Sequence, residues 1–172
     1  SGDGRTLISA SADWSLRVWD IAAGRTVKTL TGHSAAILSV AMTADGTRAV
    51  SGSEDRTIRV WDLQDGRVDR VLRAHWGAVQ GVALSQDGHT IASISEDRTV
   101  RVWELPEGRS RQLFTGHSHQ MRAIAWLPDN ARIVFSPGDE TVIVLDVAEK
   151  RVVATCRGHD SLVRAVAISA DG

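Results

Sequence analysis

The chain has 172 residues, about one domain's worth, and its 42% hydrophobic and 24% charged residues place it among folded globular proteins rather than disordered ones. Twenty Lys and Arg stand against 21 Asp and Glu, a net charge of −1, so no overall field draws the chain to nucleic acid or to an anionic membrane. A single cysteine, Cys156, excludes an intrachain disulfide framework and a cysteine-rich zinc site, and no apolar run approaches the roughly 18 residues of a membrane span. With no basic-then-apolar leader either, a reducing, cytoplasmic setting is expected.

Taken in chain order, the apolar residues alternate with period two in short runs bounded by Gly, Asp and Asn, which predicts strands and no helix. The first run is Arg5 to Ser11. The second unit shows the layout most fully: Ile37 to Met42, the Asp45-Gly46 turn, Arg48 to Ser53, the Glu54-Asp55-Arg56 turn, Thr57 to Asp62, the Gly66 turn, and Val68 to Leu72. These four strands are called a to d. They recur every 42 residues, marked by Gly32-His33, Ala74-His75, Gly116-His117 and Gly158-His159. Trp19-Asp20, Trp61-Asp62, Trp103-Glu104 and Leu145-Asp146 keep the same step, as do Asp3-Gly4, Asp45-Gly46, Asp87-Gly88, Asp129-Asn130 and Asp171-Gly172. Three markers in one register make the repeat the governing feature of the fold. The last run, Leu162 to Ile168, is an a strand with no b strand after it, and Arg5 to Ser11 is a b strand with no a strand before it. The expectation is therefore one domain over residues 1–172 with sixteen strands: b-c-d, three complete sets, and a final a.

Gly-His, four short strands, Trp-Asp and a 42-residue period together resemble the WD40-repeat family, whose repeats form the blades of β-propellers. The resemblance covers the whole chain. Its departures are Ala74 for Gly, Glu104 for Asp, and a degenerate unit carrying Phe135, Pro137, Gly138 and Leu145. The family implies an all-β propeller with four four-stranded blades per chain. It also implies a hydrogen-bonded tetrad of His, Asp, strand-b Ser and strand-c Trp in each blade, favourable only when every polar member is paired. By position the members are His33, Ser51 or Ser53, Asp55 and Trp61; His75, Ser93 or Ser95, Asp97 and Trp103; and His159, Ser9 or Ser11, Asp13 and Trp19. The blade of His117 and Asp139, with Phe135 and Leu145, keeps only two members and is expected to loosen most easily.

Ser, His and Asp in contact are also the parts of a hydrolase triad, but the chain has no Gly-x-Ser-x-Gly elbow, and repetition argues for structure. Histidines 42 residues apart fall on different blades rather than at metal-site spacing, and no Gly-rich phosphate loop occurs, so no metal and no cofactor are expected. The family's usual role is a rigid interaction platform. It implies a non-catalytic scaffold for a protein or peptide, the alternatives being the sensor portion of a larger multidomain protein and, last, a Ser hydrolase. The top face would carry Ala12, Ala36, Leu38, Glu54, Ala78, Gln80, Glu96, Gln120, Arg122, Gly138, Leu162 and Arg164. Trp14 and Trp76 break their columns and are expected near the same face. Glu54 and Glu96 on two blades, with Arg122 and Arg164 on the next two, could orient a dipolar or phosphorylated peptide. Arg17, Arg59 and Arg101 read as solvated repeats rather than a nucleic-acid stripe, Trp126 as core, and Cys156 as a small apolar filler. Of a closed four-blade ring, an eight-blade ring of two chains, and a piece of a longer propeller, the two-chain ring is favoured. It would pair residues 162–168 of one copy with residues 5–11 of the other.

Overall fold

Alternating apolar side chains and Asp-centred turns fold the chain into antiparallel meanders, which a computed structural model describes for residues 1–105, 107–115 and 121–169. Among these residues there are fifteen strands and no helix. β1 (Thr6–Ala10), β2 (Leu16–Asp20) and β3 (Arg25–Leu30) form a three-stranded sheet. β4 (Ile37–Met42), β5 (Arg48–Ser53), β6 (Thr57–Asp62) and β7 (Arg67–Arg73) form the next, in that order. β8 (Val79–Leu84), β9 (Thr90–Ser95), β10 (Thr99–Glu104) and β11 (Arg109–Thr115) form the third, and β12 (Ala123–Trp126), β13 (Arg132–Ser136), β14 (Val142–Asp146) and β15 (Arg151–Cys156) the fourth. These sheets follow the four repeats and match the blades that the resemblance implies. No helix here is long and apolar enough to cross a membrane.

The Asp-Gly register has a local cause. In each a-b turn the Asp carboxylate accepts the backbone N–H two residues on: Arg5 to Asp3 and Thr47 to Asp45 at 3.0 Å, His89 to Asp87 and Ala131 to Asp129 at 2.9 Å. The residue after each Asp, Gly4, Gly46, Gly88 or Asn130, takes the left-handed conformation that Gly and Asn adopt at least cost.

Blades stack in sequence order through apolar faces. Trp61 and Leu63 pack on Leu16, Val18 and Leu30 of the first blade. Trp103 and Leu105 pack on Val50, Ile58, Val60 and Leu72 of the second, and Leu145 and Val147 on Val100, Val102 and Leu113 of the third. The strand-c aromatic is thus a wedge between neighbours. Inner strands also meet directly: Val82 N–H donates to Ser39 Oγ (3.1 Å), and a Cβ on Gly81 would lie 2.9 Å from Ile94 and 3.1 Å from Ile124. The small residues of strand a let blades approach this closely.

Sixteen strands were expected and the ends account for the difference. Residues 162–168 form no strand among the described residues; only Val163 is buried, its N–H donating to the Asp139 carbonyl (3.2 Å). They do not pair with β1, because within the chain no b strand is adjacent on the far side of the fourth blade. Among the described residues the first sheet accordingly has no a strand. The face of this sheet that in its siblings meets the preceding blade leaves Leu7 and Ile21 each 51% exposed.

Candidate functional site

Strand a's leading loop carries His33 back over β5 and β6, where it meets the polar residues of both. His33 lies 2.7 Å from Asp55 through Nδ1 and 2.8 Å from Ser51 through Nε2, while the Trp61 indole N–H donates to Ser51 Oγ at 2.8 Å. One tautomer satisfies every group: the indole donates to Ser51, the Ser51 hydroxyl to Nε2, and Nδ1–H to the carboxylate. The third blade repeats the chain, with His75 2.8 Å from Asp97 and 2.7 Å from Ser93, and Trp103 2.9 Å from Ser93. Ser51 and Ser93, rather than Ser53 and Ser95, are the bridging serines. Ser53 and Ser95 instead accept the Asp55 and Asp97 backbone N–H groups in the b-c turn.

A fifth member was missed. Thr57 donates its hydroxyl to Asp55 and Thr99 to Asp97, each at 2.6 Å, as Ser15 does to Asp13 and Thr141 to Asp139. The signal was present in the sequence, a Ser or Thr two residues after each Asp in the same 42-residue register.

The networks settle the protonation states. Burial pushes the Asp55 carboxyl up, but hydrogen bonds from Thr57, His33 and the Ser34 N–H outweigh it and hold its pKa at about 2. Asp97 is lowered by the same balance, with the Trp76 N–H in the place of Ser34. Burial lowers His33 and His75 more than their aspartates raise them. A second proton would also fall on Nε2, where the serine hydroxyl already donates.

The other two blades depart from this pattern. In the first, Trp19 donates to Ser9 (2.9 Å) and Ser15 holds Asp13, but Asp13 is exposed and makes no hydrogen bond with His159, itself exposed. The expected fourth tetrad is not assembled within the chain, because residues 162–168 do not return to β1. In the fourth blade His117 lies outside the described residues. There Phe135 and Leu145 are fully buried, with the Phe135 ring 5.5 Å from that of Phe114. Apolar contact takes the place of the serine and the indole there.

On the top face the structure brings Leu38, Gln80, Arg122 and Arg164 together, because they hold the same position in four successive repeats. With Leu162 they line one concavity of about 350 Å³. Leu38 is 38% exposed and Leu162 49%, and Arg122, Arg164, Glu54, Glu96 and Ala12 are exposed. Gln80 donates to Glu96 (2.9 Å), and Ala36 is half-buried. Ala78 and Gly138 are a correction: both are buried and offer no rim surface, Ala78 with its carbonyl accepting the Glu96 N–H of the b-c turn and Gly138 in the turn that follows Pro137. Gln120 lies outside the described residues. Trp76 is 83% exposed and Trp14 53%. The Trp76 N–H donates to Asp97 (2.9 Å), so the tetrad fixes the backbone from which this indole projects.

Three remaining expectations divide. Trp126 is buried and Arg17 is exposed, but Arg59 and Arg101 are half-buried, with buried Nε atoms, rather than solvated. Cys156, on the edge strand β15 of the fourth sheet, is exposed rather than filling a core. Among the described residues no three His, Cys, Asp or Glu converge as metal ligands.

Comparison with known proteins gives the repeat a family. The family described as "WD domain, G-beta repeat" matches residues 1–20, 24–62, 66–104 and 108–146. A relative, "Nuclear distribution protein PAC1-2" of Uncinocarpus reesii, is 48% identical over 42 residues, which are 24% of this chain and 9% of that protein. The likeness to it spans one repeat length.

Proposed function

The chain belongs to the WD40-repeat family, whose repeats build protein-interaction scaffolds, and from that premise we propose that it is a non-catalytic scaffold binding a protein or peptide through its top face. The observation that carries this reading is the convergence of Leu38, Gln80, Arg122, Leu162 and Arg164 on one concavity. Exposed apolar groups beside oriented charges are what an interface core and rim require. The polar clusters favour a structural role over catalysis. Ser51 and Ser93 are 0% exposed, and each already accepts an indole N–H and donates to a histidine, whereas a nucleophile must reach a substrate. The exposed free thiol of Cys156 fits a reducing, cytoplasmic setting. A peptide library selected on the immobilised protein tests the reading. Leu38→Glu with Leu162→Glu should abolish capture of the selected peptides and Leu7→Glu should not; the reverse pattern would overturn it.

A second reading concerns assembly. Ser9 with Trp19 and Asp13 with Ser15 stand as their counterparts do around His33 and His75, with β1's edge unpaired. We propose that residues 162–168 of a second copy pair with β1 and bring His159 to Asp13. Light scattering should then give about twice 18.6 kDa, and deletion after Gly158 should abolish the dimer. A mass of 18.6 kDa throughout a dilution series would contradict this pairing.

A further inference from the structure

We infer that the top concavity recognises an acidic side chain next to an apolar one on an extended peptide of a partner protein, an inference that rests on the top face being the binding surface. Its lining holds two guanidinium groups, from Arg122 and Arg164, and no carboxylate. Both arginines are exposed and are charged at any physiological pH. Arg164 has no hydrogen-bond or ion-pair partner among the described residues, and a carboxylate can take two parallel N–H donors from one guanidinium. Leu38 and Leu162 supply apolar surface beside the cations, and Gln80 is oriented by Glu96. A volume of about 350 Å³ is at the small end of ligand sites, room for side chains rather than for a helix.

The surrounding charges narrow the ligand further. Glu54 and Glu96 lie exposed on the b-c turns of the second and third blades, and Glu96 accepts the Gln80 amide at the edge of the concavity. A polyanion laid over the face would place successive phosphates against these carboxylates. A peptide with one acidic residue can pair that residue with the arginines, and a basic residue further along it would be drawn to Glu54 and Glu96. The split therefore sets direction as well as class.

A library of unphosphorylated random dodecapeptides, selected on the wild-type protein and on the Arg122→Glu plus Arg164→Glu variant, tests this. Wild-type selections should be enriched in Asp or Glu within two positions of Leu, Ile, Met or Phe. The variant should lose those peptides, with affinity falling on the order of tenfold per arginine. Arg122→Gln plus Arg164→Gln should weaken them less, and circular dichroism with urea midpoints would show both variants folded. Peptides without acidic enrichment that are nevertheless lost on Leu38→Glu with Leu162→Glu would overturn the acidic assignment and leave the top-face reading standing. Peptides insensitive to all these changes would overturn both. Equal affinity for a thymidine 12-mer, lost on the same charge reversal, would also overturn the assignment to a peptide carboxylate.

Discussion

Trp61 joins two kinds of stabilisation in one side chain, and replacing it in two steps separates them. Its ring is almost wholly buried between the first and second blades, and its N–H is one of the two hydrogen bonds at Ser51. A tryptophan buries roughly 200 Å². At about 25 cal/mol per Å², removing the ring forfeits on the order of 5 kcal/mol, against a usual cost of about 3 to 5 kcal/mol for such truncations. Trp61→Ala should therefore cost about 4 kcal/mol. Trp61→Phe keeps most of the wedge and loses one hydrogen bond and a little volume, for a cost of about 1 to 2 kcal/mol. The Ser51 hydroxyl still has His33 to donate to, so the phenylalanine variant strands no donor. Urea denaturation followed by far-ultraviolet circular dichroism measures both. Equal losses for Phe and Ala would refute the division, because the indole N–H rather than the wedge would then carry the whole effect.

Acid should destabilise the protein in two stages. His33 and His75 titrate lower when folded than the ordinary 6.5, so their stabilising contribution is complete above that value and falls away as the pH drops below it. Asp55 contributes fully above 3.8 and loses its contribution as the pH falls through about 2. Urea midpoints that stay flat from pH 7 to 5 would contradict the neutral-histidine arrangement. Arg56 sits at φ 67° in an exposed turn, so Arg56→Gly should raise stability by up to about 1 kcal/mol and Arg56→Val should lower it, read as urea midpoints. Phe135→Ser restores the residue of the sibling blades but places a hydroxyl against Leu145, which has no indole N–H. It should cost about 2 kcal/mol or more in the same titration, whereas a gain would mean the apolar substitution is not a matched pair.

The parts of the fold that depend on local pattern were legible in the sequence. Ile37 to Met42, Arg48 to Ser53 and Thr57 to Asp62 follow from alternation, and the Asp-Gly dipeptides mark turns because the carboxylate and the left-handed residue act within four positions. Which serine bridges His33 and Trp61 was not legible, since Ser51 and Ser53 share a strand face and only the placement of the His33 loop, whose Ala35 carbonyl takes the Ser53 hydroxyl, decides between them. The concavity was legible only in part. Its residues share a repeat position, but Ala78 and Gly138 share repeat positions with exposed rim residues too, and their burial depends on how neighbouring turns close over them. Thr57 and Thr99 were overlooked because a threonine opening a strand reads first as β propensity and only in three dimensions as a partner of Asp. The fate of residues 162–168 could not come from pattern at all. Their alternation matches that of β4, β8 and β12, and what differs is the neighbouring strand available to receive them.

Hydroxyl-radical footprinting of the protein with and without a selected peptide tests the use of the top face most directly. Leu38, Leu162 and Trp76 are all open to solvent in the free chain and the two leucines line the concavity, while Leu7 and Ile21 are also open, on the first blade's far side. The account predicts that bound peptide lowers oxidation of Leu38, Leu162 and Trp76 and leaves Leu7 and Ile21 unchanged. Protection of Leu7 and Ile21, with Leu38 and Leu162 oxidised as before, would contradict it.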